Sequence, residues 1–163
     1  MENAEKRVDI KDVSFTSTDG TSTIHARIWR PLGTFGERPR AIVQIVHGMS
    51  EHVRRYDEFA RYLCGRGYAV CGDDHIGHGA SAAPDKRGCM PARNGNEVLI
   101  DDEHALRALV SAEFPADTPY VFFGHSMGSF ITRCYLGRHG EGLAAAVICG
   151  TGTIPVVVSR AGH

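Results

Sequence analysis

The spacing of hydrophobic residues changes along this chain of 163 residues. Residues 13–17 and 23–29 are β-rich runs on either side of a turn-forming segment that ends at Gly20, and they predict a β-hairpin. Residues 41–46 are almost continuously apolar, which is typical of a strand buried on both faces of a parallel sheet. The pattern therefore predicts a hairpin that leads into a buried sheet.

Three amphipathic helices are predicted after the first buried strand. The first has apolar residues at i, i+3, i+4 and i+7, namely Tyr56, Phe59, Ala60 and Leu63. The second covers about residues 97–113, and its inward positions are Leu99, Leu106, Leu109 and Val110. The third begins at Met127 and ends at Gly137 or Gly140. Its predicted buried face consists of Phe130, Ile131, Cys134 and Tyr135.

Three further strands are predicted over residues 68–71, 120–123 and 143–149. Because strands and helices alternate after the hairpin, we expect an α/β fold with a parallel sheet covered by helices on both faces. Only residues 81–96 have the composition of a long irregular loop. The length of the chain fits one domain, or part of one, over residues 1–163.

The charged residues exclude some partners. Lys and Arg number 18, Asp and Glu number 19, and the net charge is -1. Because the two signs are well mixed, no field favours nucleic acid or an anionic membrane. The start of the chain has no apolar signal-peptide core, and no run approaches the roughly 20 apolar residues of a membrane span. We therefore expect a cytoplasmic protein.

The five cysteines form an odd set without C-x-x-C spacing. This argues against both a disulfide framework and a zinc ribbon. We predict that they are small core residues. They are Cys64, Cys71, Cys89, Cys134 and Cys149.

The strongest candidate chemistry lies at Gly124-His125-Ser126-Met127-Gly128. A G-x-S-x-G pattern alone is weak, and an ordinary tight turn is the alternative. Here it follows a predicted strand and opens a predicted helix, which is the setting of a nucleophile elbow. Such a turn presents Ser126 Oγ at the carboxyl end of the sheet, beside the free N–H groups of a helix N-terminus.

Two other segments strengthen this interpretation. His47-Gly48-Met49 follows the first buried strand, where a loop is needed to provide a second oxyanion donor. We expect the backbone N–H groups of Met49 and Met127 to form that pair. A Gly-rich turn, residues 74–81, follows the next predicted strand.

Residues 47–52, 74–81 and 124–128 occur in the order and approximate spacing of a known family. Over about residues 40–155 the chain resembles the monoglyceride lipase and lysophospholipase branch of the α/β-hydrolases, whose bacterial members are often labelled serine aminopeptidase S33-like. The resemblance implies the N-terminal part of an α/β-hydrolase fold. It also implies a serine hydrolase that acts on small acyl esters or lipid-like substrates, without a cofactor.

The resemblance also assigns roles to residues. It implies Ser126 as the nucleophile, with the backbone of Met49 and Met127 as the oxyanion hole. The supporting motif positions are His47, Gly48, Gly124, His125 and Gly128. The family often has a second glycine after Gly128, and here Ser129 is small enough to fit.

Several histidines near the strand ends raise the question of a metal site. They are His47, His52, His75, His78 and His125. Because they show no fixed ligand spacing, no metal site is predicted. The resemblance implies instead that such histidines brace loops. The pair Asp73 and Asp74 suggests either acid–base chemistry or a loop anchor, and the loop anchor is favoured.

The rest of a catalytic triad is not found in this sequence. In this fold the order is Ser, then Asp or Glu, then His. After Ser126 the side chains of these types are His139, Glu141 and His163. Because His139 and Glu141 come at the end of the helix that Ser126 begins, they lie roughly 20 Å from it at 1.5 Å per residue. We therefore predict that the lid, the C-terminal strands and the activating residues are absent, and that this chain alone is nearly inactive.

These considerations leave two main hypotheses. The first is an esterase or lipase-like serine hydrolase, and the second is a non-catalytic remnant that acts as a binding or assembly module. A peptidase ranks third, because no pocket for a peptide N-terminus is recognisable. We also expect an unpaired sheet edge and an exposed segment, residues 154–158, which favour pairing with a second chain or self-association.

Overall fold

The computed structural model describes residues 8–153, which form six strands and three α-helices. The strands are Val8–Thr16 (β1), Thr23–Pro31 (β2), Ile42–Val46 (β3), Ala69–Asp74 (β4), Tyr120–His125 (β5) and Ala145–Cys149 (β6). The helices are Asp57–Cys64 (α1), Gly95–Ser111 (α2) and Met127–His139 (α3). The predicted order of elements is confirmed. The predicted exposed segment 154–158 lies outside the described residues.

The hairpin of β1 and β2 is antiparallel, with Val13 opposite Ala26. Its first strand begins at Val8, five residues before the predicted start. Half-buried and exposed residues alternate along β1, apart from the exposed pair Lys11 and Asp12, as suits an edge strand with one face in solvent. The turn is closed by the Gly20 N–H, which donates to the Ser17 carbonyl at 2.9 Å.

The strands form one sheet in the order β1-β2-β4-β3-β5-β6. The hairpin joins antiparallel to β4, whereas β3, β4, β5 and β6 are parallel. The central strand β3 is buried at every position, which explains its apolar sequence. Because the four parallel strands end at the same edge, the segments that follow β3, β4 and β5 come together there.

Each face of the sheet has its own hydrophobic core. On one face α2 and α3 pack, and residues such as Leu106, Val110 and Tyr135 are buried there. On the other face α1 packs Ala60 and Cys64 against residues of the sheet. The predicted arrangement of helices on both faces is thus confirmed.

The prediction for α3 is partly wrong. Ile131 and Tyr135 are buried as expected, but Phe130 and Cys134 are exposed. The helix lies so close to the sheet that small residues make the contact instead, and Ser129 and Thr132 are fully buried. The helical spacing of apolar residues therefore did not identify the face of α3 that packs against the sheet.

The prediction for the cysteines is also partly wrong. Cys64 and Cys71 are buried, whereas Cys89, Cys134 and Cys149 are exposed. Cys149 ends β6, which is an edge strand of the described sheet, and Cys89 lies in the predicted long loop. These three cysteines are therefore not core residues.

Residues 81–96 are largely irregular, as predicted, but they contain the short 3-10 turn Pro84–Lys86, and α2 begins at Gly95 rather than at residue 97. Among residues 8–153, β6 leaves one edge of the sheet unpaired, and Val147 on this strand is 47% exposed. Association at this edge stays a prediction. None of the helices that the structure describes has the length and apolar character needed to cross a membrane.

Candidate active site

Ser126 lies in the turn between β5 and α3. Its backbone angles are φ 52° and ψ −119°, a conformation that residues other than glycine rarely adopt. The Ser126 N–H donates to the Cys149 carbonyl at 2.9 Å, and the Ser126 carbonyl accepts from the N–H and hydroxyl of Ser129. These contacts hold the strained residue in a strand–turn–helix, which is the predicted context.

The glycines on either side of Ser126 are required by space. A Cβ atom on Gly124 would lie 2.3 Å from Thr132 Oγ1, and one on Gly128 would lie 1.9 Å from the Val46 carbonyl oxygen. Contacts below 3.0 Å are essentially never seen for real Cβ atoms. Glycine at position 124 therefore allows β5 to approach α3 this closely, and glycine at position 128 allows α3 to approach β3.

The loop after β3 packs directly against the serine. A Cβ atom on Gly48 would lie 3.1 Å from Ser126 Cβ, so the structure brings these two predicted site residues together. Met49 follows and is 68% exposed. Within residues 8–153, its backbone N–H donates no hydrogen bond. Met127, the other predicted donor, is the first residue of α3, where backbone N–H groups lack helical partners.

Glu51 connects this loop to the elbow. Its Oε2 accepts from the Gly48 N–H at 2.9 Å and from the Tyr56 hydroxyl at 2.8 Å. His125 Nδ1 lies 3.2 Å from the Tyr56 hydroxyl and 3.5 Å from Glu51 Oε2. Glu51 thus holds the backbone beside Ser126, a role that the sequence motif did not specify.

The surroundings of Glu51 shift two pKa values. Burial alone raises the pKa of Glu51, but the hydrogen bonds from Gly48, Tyr56 and His125 outweigh it, so the net pKa is lower than usual. The pKa of Tyr56 is raised, first by burial and then by its hydrogen bond to the Glu51 carboxylate. The network therefore contains an ionised Glu51 and a neutral Tyr56 at neutral pH.

His47 and His75 are stacked, with ring centroids 3.7 Å apart. His47 Nδ1 lies 2.7 Å from the Gly48 carbonyl, and its Nε2 accepts from the His75 backbone N–H at 3.1 Å. His75 Nε2 lies 3.1 Å from the His47 carbonyl. The two rings therefore brace the loop after β3, which agrees with the expected bracing role.

A buried group of carboxyls surrounds the other side of His75. His75 Nδ1 lies 3.2 Å from Asp73 Oδ1 and 3.3 Å from Glu103 Oε1. Burial lowers the pKa of His75, but the charge of Asp73 and its hydrogen bond outweigh this and raise it to about 9. Burial and the charge of Asp73 raise the pKa of Glu103 well above its usual range. These shifts favour the charged forms of Asp73 and His75 and the protonated form of Glu103.

Glu103 belongs to a longer polar chain within the core. Gln44 Nε2 donates to Glu103 Oε2 at 2.5 Å, and the Tyr120 hydroxyl donates to Gln44 Oε1 at 2.6 Å. The sequence did not indicate this network, because Gln44 is a single polar residue in an apolar strand and Glu103 is one of four consecutive polar residues in α2. Glutamate side chains are also rarely buried in proteins, so the burial of Glu103 was not expected.

The remaining histidines do not join one metal site. Among residues 8–153, three His, Asp or Glu atoms come within 4.8 Å of one another only at Asp73, His75 and Glu103. His52 is exposed, and His125 belongs to the Glu51 network. In the described part of the chain, the five histidines considered from the sequence are thus divided between separate environments.

The two aspartates after β4 have different roles. Asp74 Oδ1 accepts from the Val53 N–H, and Oδ2 accepts from the Ala80 N–H, each at 2.7 Å. Asp74 therefore anchors two loops, and this part of the prediction is confirmed. Asp73 instead faces the ring of His75, which the sequence did not suggest.

His139 and Ser126 are placed at opposite ends of α3. His139 Nε2 lies 3.1 Å from Asp101 Oδ1, and its ring stacks on His104 with centroids 4.1 Å apart. Ser126 Oγ makes no hydrogen bond to any group within residues 8–153. The described residues therefore provide no imidazole partner for this hydroxyl.

An open cleft of about 700 Å³ lies beside the loop after β3. Its lining includes Ser50, Glu51, His52, His78 and Arg87, but not Ser126. Ser50 has φ 58°, so the backbone of the loop also takes a positive φ at this point. The cleft is adjacent to the candidate oxyanion loop and not centred on the serine.

The family comparison and the sequence relatives agree that this chain is similar to α/β-hydrolases of the lipase type. The model of the serine aminopeptidase S33 family, Hydrolase_4, matches residues 37–157. A monoglyceride lipase from Mus musculus is 34% identical over 109 residues, which are 67% of this chain and 33% of the mouse protein. A monoacylglycerol lipase from Mycolicibacterium smegmatis is 30% identical over 154 residues, covering 91% of this chain and 51% of that protein.

The solved structures agree with the sequence relatives. A thermostable carboxyl esterase from Bacillus coagulans, in complex with glycerol, superposes with a TM-score of 0.83 and 38% identity. The match covers 93% of this chain and 47% of the esterase. The predicted α/β-hydrolase fold is thus confirmed, and the chain spans between a third and about half of the relatives it matches.

Proposed function

Since the chain belongs to the serine aminopeptidase S33 family, Hydrolase_4, we propose that it carries the nucleophile and the oxyanion hole of a serine hydrolase that cleaves acyl esters. The observation that carries the proposal is the backbone of Ser126, with φ 52° at a strand–turn–helix. Such strain costs about 1–3 kcal/mol and is concentrated at functional sites. An ordinary structural turn has no need of a serine in this conformation.

In the proposed reaction, Ser126 Oγ forms a bond to the acyl carbon while its proton passes to a general base. The carbonyl oxygen becomes an oxyanion that accepts hydrogen bonds from the N–H groups of Met49 and Met127. The bond to the alcohol then breaks, and the alcohol leaves with a proton from the base. Water hydrolyses the acyl-serine, which releases the fatty acid and restores Ser126.

The reaction needs an imidazole that accepts the serine proton. Because Ser126 Oγ has no hydrogen-bond partner within residues 8–153, the proposal requires that this base lie elsewhere in the full-length protein. Loss of the histidine from such a triad lowers turnover by about 10⁶. Residues 8–153 alone should therefore hydrolyse esters very slowly.

We propose a monoacylglycerol or another small acyl ester as substrate. The relatives support this class, because they are a monoglyceride lipase, a monoacylglycerol lipase and a carboxyl esterase. Lysophospholipids are a narrower possibility within the same chemistry. The acyl group of the substrate must reach Ser126. The cleft beside Glu51 is not lined by Ser126.

A fluorophosphonate probe tests the proposal in the full-length natural protein. Wild type should be labelled and should hydrolyse p-nitrophenyl butyrate, whereas Ser126→Ala should lose both activities. The matched control is Ser14→Ala, because Ser14 is an exposed serine on the edge strand β1. If wild type is neither labelled nor active, the non-catalytic alternative is supported instead.

A further inference from the structure

Hydrogen-bond roles determine the protonation of His47. A carbonyl oxygen only accepts and a backbone N–H only donates. Because His47 Nδ1 faces the Gly48 carbonyl at 2.7 Å, Nδ1 carries a proton. Because its Nε2 faces the His75 N–H at 3.1 Å, Nε2 has a free lone pair. His47 is thus a neutral imidazole in one tautomer, in agreement with a pKa that burial and the charge of His75 lower to about 3.

The same reasoning applies to His75. Its Nε2 faces the His47 carbonyl at 3.1 Å and must donate. Its Nδ1 lies between Asp73 Oδ1 and Glu103 Oε1, at 3.2 and 3.3 Å. The ring donates through Nε2 and has two buried carboxyl oxygens, which make no other hydrogen bond within the described residues, at ion-pair distance from Nδ1. This arrangement favours an imidazolium. The buried carboxyls therefore allow His75 to donate through Nε2.

Two consecutive peptide groups of the loop after β3 are held by these contacts. The His47–Gly48 peptide has its carbonyl on His75 and its N–H on Glu51 Oε2. The Gly48–Met49 peptide has its carbonyl on His47 Nδ1. In a trans peptide the N–H points opposite to the carbonyl, and the described residues contain no cis peptide. The direction of the Met49 N–H is therefore fixed, and this group is left free.

We propose that His75 is a positioning residue for ester hydrolysis, which acts through the His47 carbonyl to keep the Met49 N–H in the orientation that binds the oxyanion. This inference rests on the proposed function. His75 is completely enclosed and does not touch Ser126, so its effect passes through the backbone of the loop. Asp73 and Glu103 contribute by keeping both ring nitrogens protonated.

Two substitutions of His75 separate positioning from general stability. In His75→Gln, the side-chain NH₂ can occupy the place of Nε2 and still donate to the His47 carbonyl. In His75→Asn, the shorter side chain can occupy only the place of Nδ1, beside Asp73 and Glu103. Both variants remove the ring and its charge, so each serves as the control for the other.

The full-length protein is assayed with p-nitrophenyl butyrate. We expect His75→Asn to lower kcat about tenfold to a hundredfold with KM within about twofold, because loss of one oxyanion donor lowers kcat about 10²–10³-fold. We expect His75→Gln to keep kcat within about threefold of wild type. Equal kcat values in the two variants, or an effect confined to KM, would overturn the proposal.

Wild type provides a second measurement that does not depend on the folding of any variant. With ¹⁵N-labelled histidine, NMR should show protons on both ring nitrogens of His75 at pH 7 and on Nδ1 alone of His47. The Met49 amide resonance should shift with the same midpoint as the His75 ring. A neutral His75 at pH 7, or a Met49 amide resonance that does not shift as His75 titrates, would contradict the inference.

The outcome also distinguishes this inference from the proposed function. If Ser126→Ala abolishes hydrolysis while both His75 variants retain wild-type kcat, only the positioning role is wrong. If Ser126→Ala keeps full activity, the proposed nucleophile is wrong, and the positioning role fails with it. The NMR coupling between His75 and Met49 would then describe only the structure of the loop.

Discussion

Gly128 lies against the backbone of Val46 so closely that a Cβ atom on it would stand 1.9 Å from the Val46 carbonyl oxygen. This contact joins the first turn of α3 to the end of β3. It places the helix start beside the loop that begins at His47. The position of the candidate oxyanion hole thus depends on a glycine that carries no chemistry itself.

The first prediction concerns this contact. Gly128→Ala should lower the free energy of unfolding by about 3 kcal/mol or more, because the helix must move away from a backbone atom. Gly137→Ala is the control on the same helix, since a Cβ there meets nothing within 4 Å. It should raise stability by about 0.5–1 kcal/mol, as alanine favours a helix. Urea denaturation measures both, and similar effects of the two variants would contradict the steric explanation.

The second prediction concerns Glu51, which accepts hydrogen bonds from Gly48 and Tyr56. Glu51→Gln should lower stability at pH 7 by about 1 kcal/mol, because hydrogen bonds to a charged group are stronger than those to a neutral amide. Since the folded pKa of Glu51 is lowered below 4.5, its contribution is present above pH 4.5 and is lost as the pH falls through the folded value.

Urea denaturation of wild type and Glu51→Gln at several pH values checks this. The difference between the two proteins should shrink below pH 4.5. Glu58→Gln, at an exposed position in α1, is the control and should show little difference at any pH. A Glu51→Gln difference that stays constant from pH 7 to pH 3 would show that the charge of Glu51 is not involved.

Periodicity was sufficient to predict the alternation of strands and helices, because both patterns report which face is buried. It could not predict the contact face of α3. There the close approach of Gly128 to Val46 favours small residues such as Ser129 and leaves Phe130 exposed. The distance between a helix and the sheet also depends on the strand that it packs against. The sequence of the helix alone does not encode this distance.

The candidate site was predicted in a similar, partial way. Ser126, Gly124 and Gly128 were recognisable because a tight strand–helix turn restricts residue types. The contacts of Asp73 and Glu103 with His75 could not be recognised from the sequence. About thirty residues separate the two carboxyl groups, and no known motif spacing relates them. Long-range polar contacts of this kind leave no local pattern.

The third prediction concerns the cysteines. In the native chain, a thiol reagent such as Ellman's reagent should react rapidly with the three exposed thiols, Cys89, Cys134 and Cys149. Cys64 and Cys71 should react only after denaturation, and burial raises the pKa of Cys64 to about 12, which further slows it. Rapid native labelling of all five would show that the described core does not form.

The last prediction concerns the pH dependence that His75 gives to stability. Its pKa is about 9 in the folded protein, against 6.5 for an ordinary histidine. A raised pKa means that the folded state binds the proton more tightly than the unfolded state. The contribution of His75 is therefore fully present below pH 6.5 and is lost as the pH rises through 9.

The groups that face His75 are Asp73, Glu103, His47 and, edge-on, His78. Because His75 Nδ1 lies 3.2 Å from Asp73 Oδ1, loss of the His75 proton leaves the buried Asp73 carboxylate without its counter-charge. At 1.36 kcal/mol per pKa unit, the stabilisation lost is up to about 3 kcal/mol. His75→Gln cannot titrate, so its stability relative to wild type isolates this effect from other groups.

Urea denaturation of both proteins should therefore be carried out from pH 6 to pH 10. The advantage of wild type over His75→Gln should decrease by about 3 kcal/mol across this range. The decrease should begin near pH 6.5 and be complete near the folded His75 pKa of about 9. His78→Gln is the matched control, because His78 lies in the same cluster without facing Asp73 or Glu103 in an ion pair. An advantage that is independent of pH would mean that folding does not raise the pKa of His75, and the buried carboxyls would then have to share their charge in another way.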